Sequence, residues 1–307
     1  MRNIFRKRNT SLIGRSYADK IFDVCNVALM IILLVIFIFP LWYVVVASFS
    51  DPFAVARGEV WLWPVGFSLR SYELVMEFKQ LWIGYANTIF YTIVGTTLNM
   101  LFSVCMAYPM SVKEFVPRKF FMVMFMITMY FGGGLIPSYL VVKQLGILDT
   151  RWAMIIPGLV NVYNCLIIRS YFMNSIPKDL NEAATLDGAN SAQYLLKVVL
   201  PLSKPVLAVV GLYYMVAHWN NFYTALVYLY KQELMPLQSV LRNLLSSAQL
   251  MSSQLMETDV EMAMEMLERS MGMRFSVIII AAVPVLCVYP FVQKFFVKGV
   301  MVGAVKG

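Results

Sequence analysis

Residues 24–49 read VCNVALMIILLVIFIFPLWYVVVASF and contain no Asp, Glu, Lys or Arg. A helix of about 20 apolar residues crosses the roughly 30 Å hydrocarbon core of a bilayer, so this run is long enough to span one. It is also longer than the apolar region of a cleaved signal peptide, which has about 7–15 residues. We therefore predict that this run is a retained transmembrane helix.

Five further runs also lack Asp, Glu, Lys and Arg. The whole chain of 307 residues is 60% hydrophobic and 14% charged, whereas soluble domains carry about 25% charged residues. The sequence therefore predicts an all-α integral membrane protein with about six transmembrane helices. The predicted spans are Val24–Phe49, Ile83–Met110, Phe120–Val142, Trp152–Ile168, Val206–Tyr230 and Phe275–Val292.

The positions of the basic residues predict the orientation. With the N-terminus inside the cell, 16 of the 25 Lys and Arg residues fall in cytoplasmic segments, as expected for membrane proteins. The net charge of +8 lies in short clusters between apolar runs, a distribution that argues against nucleic-acid binding. We predict a cytoplasmic tail (1–23), a transmembrane domain (24–296) with a cytoplasmic segment (175–203) and an extracellular loop (231–274), and a second cytoplasmic tail (297–307).

The cytoplasmic segment 175–203 contains signals for two short helices. Pro177 suits the start of a helix, and Asp179 would lie in its positively polarised first turn. Gly188 can adopt the positive φ that ends a helix, and a second helix is predicted for about 190–201. Two helices joined at a glycine would form a compact cytoplasmic protrusion, which we call the knob.

The knob resembles the EAA motif of permeases in binding-protein-dependent ATP-binding-cassette (ABC) importers. That motif is Glu-Ala-Ala, three residues, Gly, and then about a dozen residues to an apolar-Pro pair. The extension Asp-Gly-Ala resembles the carbohydrate branch of the family, and residues 296–307, FVKGVMVGAVKG, resemble the tails of permeases for complex sugars. The matching positions are Glu182, Ala183, Ala184, Asp187, Gly188, Ala189, Leu200 and Pro201.

This resemblance implies a type I ABC importer permease fold in a bacterial plasma membrane, with both termini cytoplasmic. It further implies a heterodimer with a related permease, two copies of an ATPase that bind ATP and Mg, an extracellular solute-binding lipoprotein and a saccharide substrate. The chain lacks the G-x-x-x-x-G-K-[ST] phosphate loop, so we expect neither enzymatic activity nor a cofactor in this subunit. The residues implied in ATPase coupling are Glu182, Ala183, Ala184, Asp187, Gly188 and Pro201.

The fifth predicted span contains the polar and aromatic stretch His218-Trp219-Asn220-Asn221-Phe222-Tyr223. Amide side chains are costly in lipid, so they should face a cavity or another helix. Two interpretations remain open: hydrogen bonds between packed helices, and a saccharide path formed by Trp219, Asn220, Asn221 and Tyr223. His218 is the single histidine, and no metal site is expected because it lacks neighbouring ligands.

The loop 231–274 is predicted to carry a surface helix whose acidic face either is solvated or docks a binding protein. Its acidic stripe is Glu257, Glu261, Glu265 and Glu268. Alternatives to a sugar permease are an ABC permease for another solute and an ion-coupled transporter. An ABC permease for another solute, such as a peptide, is compatible with the knob, whereas an ion-coupled transporter generally needs acidic residues inside the membrane, and the six spans contain none.

Overall fold

The computed structural model describes residues 17–177, 179–254, 273–287 and 290, with no side-chain description for residues 247–254. Over these ranges the chain forms α-helices with short 3₁₀ and π turns and no β-strand. The predicted all-α fold is therefore confirmed. The predicted acidic stripe (257–268), the C-terminal tail (297–307) and most of the N-terminal tail lie outside the described residues.

Among the described residues, two helices are each long and apolar enough to cross a membrane. They are α1 (Tyr17–Ser48), with 32 residues, and α4 (Lys79–Ser111), with 33. Between them lie two short helices, α2 (Pro52–Ala56) and α3 (Arg70–Glu77). The first two predicted spans thus form helices.

The third and fourth predicted spans are broken. Helices α5 (Arg118–Tyr130) and α6 (Leu135–Gln144) meet at 118°, at a glycine-rich turn in which Gly134 has a φ of +85°. The single continuous span predicted there is therefore corrected to two short helices. The fourth begins as 3₁₀ turns over Arg151–Gly158, which meet α7 (Val162–Ser175) at 50°.

The fifth predicted span is also interrupted. Helix α11 ends at Trp219, and α12 begins only at Tyr223. Upstream, the segment Ser191–Leu202 meets α11 at 83°. The remaining bounds are α8 (Asp179–Leu186), α9 (Ser191–Tyr194), a π turn (Leu195–Val199), α10 (Leu200–Leu202), α11 (Lys204–Trp219), α12 (Tyr223–Tyr228), a 3₁₀ turn (Gln232–Leu234), α13 (Leu237–Gln254) and α14 (Met273–Cys287).

Part of the predicted extracellular loop 231–274 is not an exposed loop. Helix α13 packs against α4, with Leu237 and Leu241 buried in a shared apolar cluster. Helix α14 corresponds to the first part of the sixth predicted span, Phe275–Val292. Most of the last five residues of that predicted span lie outside the described part of the chain.

Helix α4 lies at the centre of the described structure, in contact with α7, α11 and α13. Its buried face repeats every three or four residues and is unusually polar, as with Asn87, Thr88, Asn99 and Ser103. Polar side chains are costly against lipid, so this face is directed at the other helices. The helix bundle is thereby organised around polar contacts as well as apolar ones.

Helices α4 and α11 approach closely at Gly95. A Cβ atom built at this position would lie 2.4 Å from Nε2 of His218, which is closer than real Cβ contacts allow. Small residues permit this kind of close helix contact in membrane proteins. Glycine is therefore required at position 95 for His218 to occupy its place.

We predict that Gly95→Ala destabilises the protein by about 1–3 kcal/mol, the usual cost of overpacking a core. The measurement is thermal unfolding of the purified protein in detergent. Gly211→Ala is the matched control, because its new Cβ would meet only the Met100 sulfur at 3.9 Å. If Gly95→Ala unfolds at the same temperature as Gly211→Ala, the close contact does not exist.

Candidate translocation cavity and coupling surface

A cavity of about 430 Å³ lies where the helix breaks converge. Its walls come from α4, the start of α6, the 3₁₀ turns before α7, the start of α7, and helices α11 and α12. Among the described residues that line it, none is Asp, Glu, Lys or Arg. The polar and aromatic lining includes Asn99, Asn161, Asn164, Asn221, Tyr214 and Tyr223.

The side chain of Asn99 connects three of these walls. Its Nδ2 donates to the backbone oxygens of Gly158, at 2.7 Å, and Leu159, at 2.8 Å. Its Oδ1 lies 2.7 Å from Nε2 of His218. Since an amide oxygen can only accept, His218 donates this bond and carries a proton on Nε2. Asn99 thus joins α4, the 3₁₀ turn before α7 and α11.

Tyr214 adds a second polar connection at the cavity. Its hydroxyl lies 2.7 Å from Oγ of Ser103 on α4, and it accepts a bond of 3.3 Å from the backbone N–H of Asn161. That N–H stands at the start of α7, where no preceding helical turn is available to accept it. The cavity wall is therefore held by hydrogen bonds that also satisfy the broken backbone.

Asp149 fixes the far end of α12. Its backbone has a positive φ of 56°, and its Oδ1 accepts from the backbone N–H groups of Tyr230, at 2.9 Å, and Lys231, at 3.0 Å. These backbone hydrogen bonds hold the pKa of Asp149 below its ordinary value of 3.8. The loop before the 3₁₀ turns is thereby tied to the chain that leaves the cavity.

The four residues predicted for a substrate path separate into two groups. Asn221 and Tyr223 line the cavity. Trp219 is buried on another side, where its Nε1 donates to the backbone oxygen of Ala281 on α14 at 3.3 Å. Asn220 is exposed and does not contribute to the lining.

Three further asparagines of the cavity were not identified from the sequence: Asn99, Asn161 and Asn164. A signal was present, because all three lie in apolar runs where an amide needs a partner or a cavity. Asn161 and Asn164 are also spaced so that they share a helix face. What the sequence could not show is that the second, fourth and fifth spans converge at one point.

The knob has the two-helix geometry that its sequence predicts. Gly188 has a φ of +75°. The N–H of Ala189 donates to the oxygen of Ala184 at 2.9 Å, and the N–H of Gly188 donates to that of Thr185 at 3.0 Å. This pair of bonds is the Schellman motif that ends a helix at a glycine. The joint between the two helices is therefore well defined.

The second helix of the knob begins with a reciprocal cap. The side chain of Asn190 accepts from the backbone of Gln193 at 2.8 Å, and the side chain of Gln193 accepts from the backbone of Asn190 at 3.0 Å. A capping box of this kind satisfies two helix-end donors at once. Both ends of the glycine joint are thus fixed by local hydrogen bonds.

Most of the residues predicted to couple to an ATPase are accessible on the knob. Glu182, Ala183, Asp187 and Pro201 are exposed, whereas Ala184 is half-buried against the apolar core beneath. Leu186, which was not predicted, is 89% exposed at the end of α8. An exposed leucine beside two small alanines offers an apolar contact surface to a partner.

The knob lies at the Ser111 end of α4. The hydroxyl of Tyr108 on α4 donates to the backbone oxygen of Ser191 in the knob at 3.1 Å. Helix α7, which leads into the knob, is bonded to the same end of α4, because Nε of Arg169 donates to the backbone oxygen of Met110 at 2.9 Å. Because α4 is about 50 Å long at 1.5 Å per residue, the knob and the Lys79 end of α4 lie at opposite ends of the bundle.

The described part of this chain is all-helical, with a polar cavity at its helix breaks and a two-helix knob at one end, and its fold is that of an ABC importer permease. Residues 86–302 match the model of the family described as binding-protein-dependent transport system inner membrane component, and the chain belongs to that family. It is accordingly a multi-pass membrane protein, and its family acts together with a binding protein, another permease and an ATPase.

Comparisons with individual proteins agree with this assignment. The chain is 37% identical over 290 residues to protein LplC of Bacillus subtilis, covering 94% of this chain and 96% of LplC. It is 36% identical to the polygalacturonan/rhamnogalacturonan transport system permease protein YtcP of the same organism, covering 94% and 99%. A solved bacterial ABC transporter involved in the import of the acidic polysaccharide alginate matches with a TM-score of 0.83 and 35% identity, over 92% of this chain and 99% of that one.

We predict that the stabilising effect of Asp149 is lost in acid. Its pKa is lower in the folded than in the unfolded protein, so its contribution is present above the unfolded value and disappears as the pH falls through the folded one. The melting temperature of Asp149→Ala should therefore lie below that of the wild type at pH 7, and the difference should shrink towards pH 3. Asp149→Asn keeps an acceptor oxygen and should melt close to the wild type at pH 7. A difference that grows on acidification would contradict this role.

Proposed function

We propose that this chain is one permease subunit of an ATP-driven importer for sugars or oligosaccharides in a bacterial plasma membrane. It pairs with a related permease as a heterodimer and has both termini in the cytoplasm. Two ATPase copies bind ATP and Mg, and an extracellular solute-binding lipoprotein delivers the saccharide. The observation that carries this proposal is a polar, uncharged cavity joined through one bent helical segment to an exposed knob.

The cavity chemistry supports a saccharide. Amide side chains offer both donors and acceptors, as sugar hydroxyl groups require. Asn161 and Asn164 both line the cavity, although the Oδ1 of Asn161 also accepts from the N–H of Asn164 at the start of α7. Tyr223 and Tyr228 add aromatic surface to the same cavity, which suits the apolar faces of sugar rings. The named substrates of relatives, polygalacturonan and rhamnogalacturonan for one and alginate for another, belong to the same chemical class.

The path of the chain supports mechanical coupling. From the knob the backbone continues through the π turn and α10, past Pro201, and bends by 83° into α11. Helix α11 carries Tyr214 and His218, both of which line the cavity. When ATP closes the ATPase dimer, the seated knob moves and α11 moves with it, so that the cavity alternates between the two sides of the membrane.

We predict that Gly188→Asp abolishes uptake while membrane insertion is retained. A Cβ atom at Gly188 would meet nothing within 4 Å in this chain, but the φ of +75° strains any residue other than glycine there. Loss of uptake therefore reports on a partner surface only by comparison with a variant that carries the same backbone strain elsewhere. Glu182→Lys should also abolish uptake, because it reverses the charge of an exposed side chain on the first helix of the knob. The measurement is uptake of labelled oligosaccharide by cells that express the complete transporter, with immunoblotting of membranes for the subunit.

Gly146→Asp is the matched control for this experiment. Gly146 also has a positive φ, of +70°, and its Cβ would likewise meet nothing within 4 Å, but it follows α6 and not the knob. Uptake should persist in Gly146→Asp. Normal uptake by both Gly188→Asp and Glu182→Lys would remove the coupling assignment.

We predict that Asn164→Leu lowers saccharide uptake by about tenfold or more, since one lost hydrogen bond to a ligand costs about 1–3 kcal/mol when its partner stays unsatisfied. Asn164 lines the cavity, and leucine has the same number and branching of side-chain heavy atoms without the amide. Asn220→Leu removes an amide that lies outside the lining and should leave uptake unchanged. Saccharide-stimulated ATP hydrolysis by the reconstituted transporter provides the second readout. Equal uptake by the two variants would exclude this cavity from the path.

A further inference from the structure

The segment between α2 and α3 presents several large aromatic side chains outwards. Trp61 is 69% exposed, Trp63 is 74% exposed and Phe67 is 70% exposed. Neither the proposed coupling surface nor the translocation cavity includes any of them. Because large aromatic groups gain much by leaving water, a cluster of them at one place indicates a surface that another phase or molecule covers.

This segment folds back along α1. Val60 is buried against Val46 of α1. Further along, the Nε1 of Trp42 donates to the backbone oxygen of Leu62 at 2.9 Å. The rings of Trp42 and Trp63 meet edge to face, with 6.5 Å between their centroids. The turn at residues 61–63 therefore lies beside Trp42 and not beyond the end of the helix.

The position of Trp42 along α1 gives the depth of this turn. Trp42 lies six residues before Ser48, where α1 ends, which corresponds to about 9 Å at 1.5 Å per residue. A hydrocarbon core of about 20 residues that starts at Val24 ends at Tyr43. The turn thus lies at the level where the hydrocarbon core meets the headgroup region.

The side chains of α1 from Tyr17 to Trp42 are exposed in the described structure. In a helix that crosses a membrane, exposed side chains meet lipid except where another subunit covers them, and α1 is exposed on all of its sides over this stretch. Trp63 packs on Trp42, the last residue of this exposed stretch, so the lipid that surrounds α1 also meets the turn. Tryptophan is enriched at this depth because its ring is apolar and its N–H can bond to water or headgroups.

We propose that residues 60–67 form an interfacial anchor that inserts Trp61 and Trp63 into the boundary between the headgroups and acyl chains of phospholipid. The anchor acts in the leaflet at the Ser48 end of α1. Ser48 Oγ lies 2.8 Å from the hydroxyl of Tyr72 on α3, which leads directly into the Lys79 end of α4, so this end is opposite the knob. It fixes the height of that end of α1 in the bilayer while the knob end responds to the ATPase. This role depends on the membrane and not on the identity of the transported solute.

The test places a nitroxide label at position 61 or 63 of the complete transporter in phospholipid nanodiscs. The four native cysteines, Cys25, Cys105, Cys165 and Cys287, are first replaced by alanine. Collision rates with oxygen, which partitions into lipid, and with a water-soluble nickel chelate are compared at each site. Ile36, a lipid-facing position that is 58% exposed, and Val116, which is 92% exposed outside the helices, serve as references.

Labels at positions 61 and 63 should show an oxygen-to-nickel collision ratio several-fold above that at position 116 and below that at position 36. A ratio equal to that at position 116 would mean a water-exposed platform, suited to a binding protein or saccharide, and would overturn the anchor. Low collision rates with both reagents would mean that a protein subunit covers the segment, which also overturns it.

A second measurement keeps the native side chains. Phospholipid brominated near the start of its acyl chains quenches tryptophan at the interface, and the wild type is compared with Trp61→Phe/Trp63→Phe. The anchor predicts that the fluorescence lost in the double variant is mostly quenchable by this lipid. If the fluorescence lost in the double variant is instead fluorescence that the brominated lipid does not quench, the anchor is contradicted. This result would hold even if the nitroxide labels had disturbed the loop.

Discussion

The hydrogen bonds of Asn99 meet the main constraint on this fold, which is that a backbone inside a bilayer must satisfy its own polar groups. The 3₁₀ turns before α7 leave carbonyl groups without helical partners, and the amide of Asn99 donates to those of Gly158 and Leu159. Tyr214 meets the same need for the N–H of Asn161. The broken span is therefore possible only because α4 and α11 bring polar side chains to it, and the cavity is the space that the break leaves open.

The same polar face of α4 organises the chain at its other end. The Nδ2 of Asn87 donates to the backbone oxygen of Glu233 at 2.7 Å, and the hydroxyl of Tyr91 donates to that of Leu234 at 2.8 Å. The hydroxyl of Thr88 accepts from the N–H of Leu237 at 2.8 Å. One helix thus supports both the cavity wall and the non-helical connection that leads from α12 to α13, which explains why its buried face is polar along much of its length.

The features that the sequence predicted well depend on residues close together in the chain. The knob follows from Gly188 and Asn190, whose hydrogen bonds reach no further than five residues. The features that were missed depend on distant contacts. The third predicted span contains glycines at 132–134, but only packing determines that two helices meet there at 118°. Helix α13 escaped notice because it lacks a long apolar run and is stabilised through its contact with α4.

The close contact between Gly95 and His218 has a consequence for how this chain can change over time. Any side chain gained at position 95 needs volume to be lost at position 218, and His218 is in turn bonded to Asn99. These sites lie far apart in the chain but occupy one shared volume. A substitution at one of these positions is therefore tolerated only together with a compensating substitution at another, so the three positions are expected to change together.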